Sequence, residues 1–190
     1  MTKGIKKMND YVIEAINPDN YIYFNKMNKP FTRFGNVTPI FENRKWSFEY
    51  ELLADPYIFC LPNDDGINCR NYIDSSDRQI FFIRINNEYV GQIRVNKMWN
   101  NLCHIEDVCI KTEFRGKGLL AILLNEAEQW AEKNNLHGCV LEVLSFNLGA
   151  FKSYIKNGFE IGGIDNMEYR CAEQDFITED DFNIKMYKFF

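Results

Sequence analysis

The sequence predicts an α+β fold in three layers, with a mixed, mostly antiparallel sheet flanked by helices. Three β-rich runs separated by turn sequences, residues 79–85, 89–95 and 102–110, predict consecutive antiparallel strands. An amphipathic segment, 118–134, then precedes an apolar run, 139–144, which predicts a helix leading into a strand covered on both faces. The chain has 190 residues, of which 46% are hydrophobic. That is enough for one sizeable core, so we expect a single domain over residues 1–190.

The charge balance of the chain limits its partners. Lys and Arg number 22 and Asp and Glu 27, which gives a net charge of −5. An acidic surface argues against non-specific binding to nucleic acid or to anionic membranes, and it is compatible with a small cationic substrate. No apolar run reaches membrane-spanning length, and no apolar signal-peptide region follows the lysines of the first ten residues.

The six cysteines do not indicate a metal or redox site. No C-x-x-C pair is present, and several cysteines lie inside apolar runs, as buried free thiols do. We therefore expect a cytoplasmic protein with reduced cysteines and no bound metal.

The N-terminal third carries weaker signals. Residues 11–16 predict a short strand that ends at the Asn17-Pro18-Asp19 turn. Residues 20–45 are expected to be irregular because prolines and a glycine interrupt them. Residues 46–53 could form a short helix or a strand, closed by Asp55-Pro56.

The C-terminal half shows a regular order of elements. The strand at 102–110, the helix at 118–134 and the strand at 139–144 should form a parallel crossover in the sheet. A second helix, 148–156, is expected to stop at Asn157-Gly158. Residues 159–171 and 181–190 predict two final strands.

Residues 114–120, Phe-Arg-Gly-Lys-Gly-Leu-Leu, lie where a strand ends and the long helix begins. Glycines allow a tight turn and close approach of a ligand, and the first N–H groups of a helix lack internal partners. With the helix dipole and two nearby cations, Arg115 and Lys117, this arrangement favours a phosphate or pyrophosphate. The alternative is a plain glycine-rich turn, because short glycine motifs often occur without a ligand.

A second pattern follows on the shorter helix: Asn147-x-x-Ala150-x-x-x-Tyr154-x-x-x-Gly158-Phe159. Asn147 is placed either to cap this helix or to bind a ligand amide. Tyr154 lies on a helix that also supplies core residues, so it could be a functional or a purely packed aromatic.

Together the two patterns resemble those of the GNAT superfamily of N-acetyltransferases, over about residues 79–171. The R/Q-x-x-G-x-G/A pattern matches Arg115 and Gly118, whereas Leu120 stands where Gly or Ala is usual. The second pattern matches fully. Within the superfamily the chain is most similar to streptothricin acetyltransferases, through Tyr72-Ile73-Asp74, Ile105-Glu106-Asp107, Phe114-Arg115-Gly116 and Asn135-Leu136-His137-Gly138.

The resemblance implies acetyl-CoA as donor and a primary amine of a small cationic substrate, such as streptothricin, as acceptor. It places the donor between the strands at 102–110 and 139–144, with the Val108 N–H polarising the thioester carbonyl and Tyr154 acting as the acid for the leaving thiolate. The residues expected to bind the donor are Val108, Cys109, Ile110, Arg115, Gly116, Lys117, Gly118, Leu119, Leu120, Asn147 and Tyr154.

The resemblance also implies a base for the acceptor ammonium. Glu106 is the first candidate and His104 the second, since they share one face of a strand. Glu142, on an otherwise apolar strand, is a further candidate. Asp107 should face the other way unless a bulge intervenes. Streptothricin carries a β-lysine chain, so Asp74, Asp107 and Glu142 are expected to bind the substrate. Acidic residues across 42–77 could add charge there, or could be ordinary solvated surface.

Two other functions remain open from the sequence. The acceptor could be another amine, namely a polyamine, an amino sugar or a protein lysine. Alternatively the chain could be a non-catalytic acyl-CoA sensor, although the presence of Tyr154, Glu106 and His104 argues against that. The protein could be a monomer, or a homodimer that pairs edge strands near the C-terminus.

Overall fold

The computed structural model describes residues 11–62, 66–167, 178 and 180–190, and these contain nine strands and two α-helices. The strands are β1 (Tyr11–Ala15), β2 (Phe31–Glu42), β3 (Lys45–Phe59), β4 (Arg78–Ile85), β5 (Glu88–Lys97), β6 (Cys103–Ile110), β7 (Gly138–Leu144), β8 (Glu160–Asp165) and β9 (Asn183–Phe189). The helices are α1 (Leu119–Lys133) and α2 (Leu148–Lys156). The predicted 159–171 strand runs partly outside the described residues.

Seven strands form one sheet in the order β1-β4-β5-β6-β7-β9-β8, and β2 and β3 form a separate two-stranded sheet. In the large sheet β6 and β7 are parallel, and every other neighbouring pair is antiparallel. Helix α1 connects the two parallel strands. The predicted mixed sheet, its meander and its crossover are therefore confirmed.

One face of the large sheet packs against the helices, and we call it the helix face. Alternate residues of β6 and β7, such as Cys103, Ile105 and Leu141, join one hydrophobic cluster with both helices. The apolar stripe of α1 lies in the same cluster, with Leu123 and Ala127 fully buried. The 3.6-residue period of the sequence predicted this stripe.

The opposite, far face is covered over β4 and β5 by short segments instead of an α-helix. Ile80 and Phe82 point to this side, where Ile16, Met27 and Tyr72 pack on them. Tyr72 ends a 3-10 turn at Cys69–Tyr72. The third layer therefore consists of loops and single turns, which connect the N-terminal third to the sheet.

The expectation that residues 20–45 are irregular is wrong for Phe31–Glu42, which pairs along its length with β3. Pro39 is tolerated because β2 has a free edge, where a missing N–H costs no ladder bond. Residues 46–53 are strand, and Asp55-Pro56 does not close it. Pro56 lies where the β2–β3 register shifts, so no partner needs its absent N–H.

The β2–β3 hairpin is held against the end of β7 and the start of α2. The Val37 N–H donates to the Ser145 carbonyl at 2.8 Å, and the rings of Phe48 and Phe151 meet edge-on at 4.8 Å. Arg33 stacks over the Phe146 ring at 4.3 Å. These contacts place the hairpin beside the segment that follows β7.

Neither described α-helix has the length and apolar character needed to cross a membrane. Across the described ranges, no group of three or more His, Cys, Asp or Glu side chains is arranged to hold a metal ion.

Gly138→Ala is expected to lower the free energy of unfolding by about 1–3 kcal/mol. A Cβ at Gly138 would collide with the carbonyl oxygen of Lys188 and lie 3.0 Å from the Phe189 Cα on β9, and neither backbone atom can move alone. Equilibrium urea denaturation measures the change. Gly163→Ala in β8 is the matched control, since nothing lies within 4 Å of its Cβ position. It should change stability by less than about 0.5 kcal/mol. Equal losses in the two variants would contradict this packing.

Candidate active site

A gap opens between the two parallel strands. β6 and β7 pair only through Cys103–Cys139, His104–Val140 and Ile105–Leu141. Beyond these pairs both strands continue, β6 to Ile110 and β7 to Leu144, without pairing to each other. Their separation leaves part of the inner edge of β6 without a strand partner.

Hydrogen bonding to β5 decides which β6 groups face the gap. The Lys111 N–H donates to the Val90 carbonyl at 2.9 Å. Because antiparallel bonds alternate, Cys109 bonds toward β5, whereas the N–H groups of Val108 and Ile110 point into the gap. Cys109 was expected to bind the donor, but its backbone is turned to β5 and its side chain packs on the far face.

The turn between β6 and α1 has the geometry of an anion site. Gly116 and Gly118 have φ values of +72° and +86°, which favour glycine, and no atom lies within 4 Å of either Cβ position. Helix α1 begins at Leu119, so the N–H groups of its first turn have no intrahelical acceptors. Leu119 is buried in the core and Leu120 half-buried, so these two residues can offer a ligand their backbone.

The two cations of this turn bind the protein's own backbone. The Arg115 guanidinium donates to the carbonyls of Ile110 at 2.8 Å, Pro30 at 2.7 Å and Lys29 at 2.8 Å. The Lys117 ammonium donates to the Glu113 carbonyl at 2.7 Å. Both side chains were expected to add positive charge beside a phosphate. In the structure they donate to backbone carbonyls and so help to shape the turn.

Asn147 caps α2. Its side-chain oxygen accepts from the Ala150 N–H at 3.2 Å, as one of the two sequence alternatives predicted. The cap uses the oxygen, so the amide nitrogen is the atom of Asn147 that can donate to a ligand.

Tyr154 lies inside the helix-face cluster with 8% of its surface exposed. Burial, with a smaller contribution from the charge of Asp107, raises the pKa of the Tyr154 phenol well above its usual value. Among the described residues no protein group is hydrogen-bonded to its hydroxyl. A protonated hydroxyl in this setting can donate to an anion that forms in the gap.

A bulge in β6 turns two adjacent carboxylates to the far face. The β5–β6 register shifts between Arg94 and Val95, so that Arg94 lies opposite Asp107 and Val95 opposite Ile105. Glu106 and Asp107 therefore lie on the same side, as one sequence alternative allowed. Asp107 accepts from Gln92 Nε2 at 2.8 Å.

Glu106 is held by groups from two directions. Its Oε2 accepts from the Tyr72 hydroxyl at 2.8 Å, and its Oε1 accepts from Asn96 Nδ2 at 2.9 Å. Arg94 Nε lies 3.4 Å from Oε2. This carboxylate is therefore fixed in place, with a cation beside it.

His104 and Glu142 form a second polar pair on the far face. His104 Nε2 lies 2.9 Å from Glu142 Oε2, and Lys185 Nζ lies 3.1 Å from Glu142 Oε1. The His104 hydrogen bond, helped by Lys185 and opposed by burial, lowers the pKa of Glu142 to about 2. Glu142, on an otherwise apolar strand, is thus a paired carboxylate.

Asp74 is exposed in the turn after Tyr72, where its backbone has a positive φ. The sequence analysis named Tyr72 within the Tyr72-Ile73-Asp74 match without linking it to Glu106, and it missed Asn96 and Gln92 as site residues. One signal was available: Gln92, Arg94 and Asn96 alternate with apolar residues in a strand that is otherwise buried. Such spacing places polar groups on a single face, and buried polar groups need partners.

Removing the charge of Glu142 should destabilise the protein in a pH-dependent way. Its folded-state pKa of about 2 lies below the ordinary value of 4.5, so ionised Glu142 stabilises the fold above about pH 4.5. That contribution is lost as the pH falls toward 2. Urea denaturation between pH 7 and pH 2 measures the difference in free energy of unfolding between wild type and Glu142→Gln. This difference should become smaller as the pH falls from about 4.5 toward 2. Glu49→Gln, at an exposed position of β3, is the control and should differ from wild type by less than about 0.5 kcal/mol throughout. A pH-independent Glu142 difference would contradict the ion pair.

Three comparisons relate this site to known proteins. The model of the acetyltransferase (GNAT) family matches residues 46–159. Streptothricin acetyltransferase A of Bacillus subtilis (strain 168) is 35% identical over 146 residues, 77% of this chain and 83% of that protein. A Bacillus anthracis structure described as a streptothricin acetyltransferase with bound acetyl coenzyme A superposes with a TM-score of 0.85 at 26% identity, covering 95% of this chain and 100% of that one. A nourseothricin acetyltransferase shares the fold, with a TM-score of 0.75 at 19% identity over 93% of this chain and 96% of its own.

The family model covers more than half of the chain, and the Bacillus subtilis relative is matched over most of its length. Diverging parallel strands, a glycine turn at a helix start and a buried tyrosine agree with the sequence patterns that first indicated this family. The chain therefore belongs to the GNAT family and is an acetyl-CoA-dependent N-acetyltransferase.

Proposed function

We propose that this enzyme acetylates a primary amine of streptothricin and so inactivates a cationic antibiotic in the cytoplasm. The observation that carries the proposal is the bulge that places Glu106 and Asp107 together on the far face, next to Val108. Carboxylates beside the gap favour an ammonium substrate. The relatives that match most of this chain carry the same activity in their names.

The donor is held mainly by backbone groups. The N–H groups from Gly116 to Leu120 receive the pyrophosphate at the start of α1, where the helix dipole favours negative charge. The gap-facing N–H groups of Val108 and Ile110 pair with the pantetheine arm as an added strand would. The amide nitrogen of Asn147 donates to the same arm. Arg115 acts indirectly, because it fixes the turn.

The transfer is a direct attack of the acceptor nitrogen on the thioester carbon. The N–C bond forms as the C–S bond breaks, and the Val108 N–H stabilises the negative charge on the carbonyl oxygen. The Tyr154 hydroxyl gives its proton to the departing thiolate. The second proton, which the nitrogen loses as the amide forms, restores the Tyr154 phenol directly or through water. The acceptor enters as an ammonium and must lose a proton before it attacks.

We assign Glu106 as the base that accepts this proton, either directly or through one water. With a rise of about 3.3 Å per residue, His104 lies about 13 Å along β6 from Val108, and Glu106 lies at about half that distance. His104 is also engaged with Glu142. Asp107 and Glu142 then supply negative charge for the remaining ammonium groups of the substrate.

Thiol release from acetyl-CoA in the presence of streptothricin tests the proposed substrate. We expect kcat/KM of about 10⁴ M⁻¹s⁻¹ or more, an ordinary enzyme value. A panel of polyamines, amino sugars and lysine peptides is run in parallel. Faster turnover of a panel member would overturn streptothricin and leave the acetyltransferase in place. If no amine causes thiol release although the protein binds acetyl-CoA, the catalytic role would be overturned.

Tyr154→Phe is expected to lower kcat by about 100-fold or more, the usual contribution of a general acid. The KM for acetyl-CoA should stay within about twofold, because the ring and its packing on Phe159 are retained. Steady-state kinetics with varied acetyl-CoA separate the two parameters. Tyr11→Phe in edge strand β1 is the control and should match wild type. An unchanged kcat in Tyr154→Phe would show that the leaving thiolate takes its proton elsewhere.

A further inference from the structure

The Glu106 carboxylate is oriented by a residue from outside the two sequence patterns. Tyr72 belongs to the segment that covers the far face, and its hydroxyl reaches Glu106 Oε2 at 2.8 Å. Asn96 on β5 holds the other oxygen at 2.9 Å. With one donor on each oxygen, the carboxylate is constrained in both position and rotation.

Tyr72 is itself rigidly placed. Its side chain is 4% exposed and packs with Ile80 and Phe82 on the sheet. The Arg78 guanidinium lies 5.6 Å from the centre of its ring. Burial and the neighbouring Glu106 raise the pKa of Tyr72 to about 12, so its hydroxyl keeps its proton and remains a donor. A fixed donor of this kind can hold an acceptor group without taking part in proton transfer.

A second tyrosine–glutamate hydrogen bond in the chain provides a comparison. The Tyr89 hydroxyl donates to Glu14 Oε2 at 2.6 Å, between β5 and β1. Burial and Glu14 raise the pKa of Tyr89 to about 12 as well. The two bonds are chemically alike, but Glu14 lies three strands further from the gap than Glu106 does. Position in the sheet is therefore what distinguishes the Tyr72 bond.

We propose that Tyr72 is a positioning residue for acetyl transfer, which holds Glu106 at the β6 bulge in the orientation that receives the acceptor proton. The proposal rests on the proposed role of Glu106. In this role Tyr72 acts through its hydrogen bond to the carboxylate and takes no proton itself. The loop around Cys69–Tyr72 thereby becomes part of the catalytic apparatus, although it precedes the sequence patterns that bind the donor.

The test is steady-state kinetics of full-length Tyr72→Phe with acetyl-CoA and the acceptor that turns over. We expect kcat to fall about tenfold to a hundredfold, as when a hydrogen bond to a charged group is lost. The KM for acetyl-CoA should stay within about twofold, because the donor site is untouched. Tyr89→Phe is the matched control, with a similar change in melting temperature and wild-type kcat. Equal kcat losses in the two variants would overturn the proposal.

A double-mutant cycle with Glu106→Gln separates positioning from general damage to the fold. If Tyr72 acts through Glu106, adding Tyr72→Phe to Glu106→Gln lowers kcat no further. Additive losses would overturn the proposal, since they would show an effect independent of the carboxylate. If Tyr72→Phe keeps full activity while Glu106→Gln loses activity, the positioning role of Tyr72 would be overturned and the role of Glu106 would stand. Full activity of Glu106→Gln would overturn the role of Glu106, and the positioning role with it.

Discussion

The active site depends on two parallel strands that stop pairing while both continue. Backbone N–H and C=O groups are rarely left without partners inside a protein, so the open edge of β6 needs a ligand or water. The surrounding structure keeps the edge open. The chain leaving β7 bonds to the β2–β3 hairpin through Ser145 and Val37 and then enters α2 at the Asn147 cap. These contacts hold the end of β7 away from β6.

The glycine turn has the geometry of an anion site although the chain carries net negative charge. It presents backbone N–H dipoles at the start of α1, and such groups can bind an anion without a side-chain cation in direct contact. Arg115 and Lys117 are used to build the turn. Through Lys29 and Pro30, Arg115 also ties the turn to the segment just before β2. The hydrogen bonds of Arg115 thus join the glycine turn to the N-terminal third of the chain.

Two carboxylates of the far face each lie beside a cation. Glu106 lies beside Arg94, and Glu142 bonds both His104 and Lys185. Burying a carboxylate costs free energy unless the charge is paired, and each of these two carboxylates is paired with groups on neighbouring strands. Glu106 and Glu142 are therefore ordered carboxylates, each with its position set by hydrogen bonds and by a nearby cation.

Much of the fold could be predicted from local pattern. The period of α1, the meander of β4–β6 and the crossover to β7 follow from side-chain spacing. The positive φ values of Gly116 and Gly118 follow from residue type, and the Asn147 cap was one of two alternatives. The β2–β3 hairpin could not be predicted, because its prolines and glycine weaken every local strand signal and only long-range pairing compensates. The backbone partners of Arg115 and the orientation of Cys109 toward β5 could not be predicted either, because they depend on hydrogen-bond direction between distant segments.

The sequence by itself therefore determined the class of fold and the glycine turn before α1, because both are built from short segments whose backbone geometry local residues dictate. Only the tertiary structure decided how the acceptor side is organised. Tyr72, Asn96 and Glu106 are distant in sequence or lie on different strands, and they meet because one extra residue in β6 turns a carboxylate toward a loop that covers the sheet. Such a meeting is set by packing between elements, which no local pattern encodes.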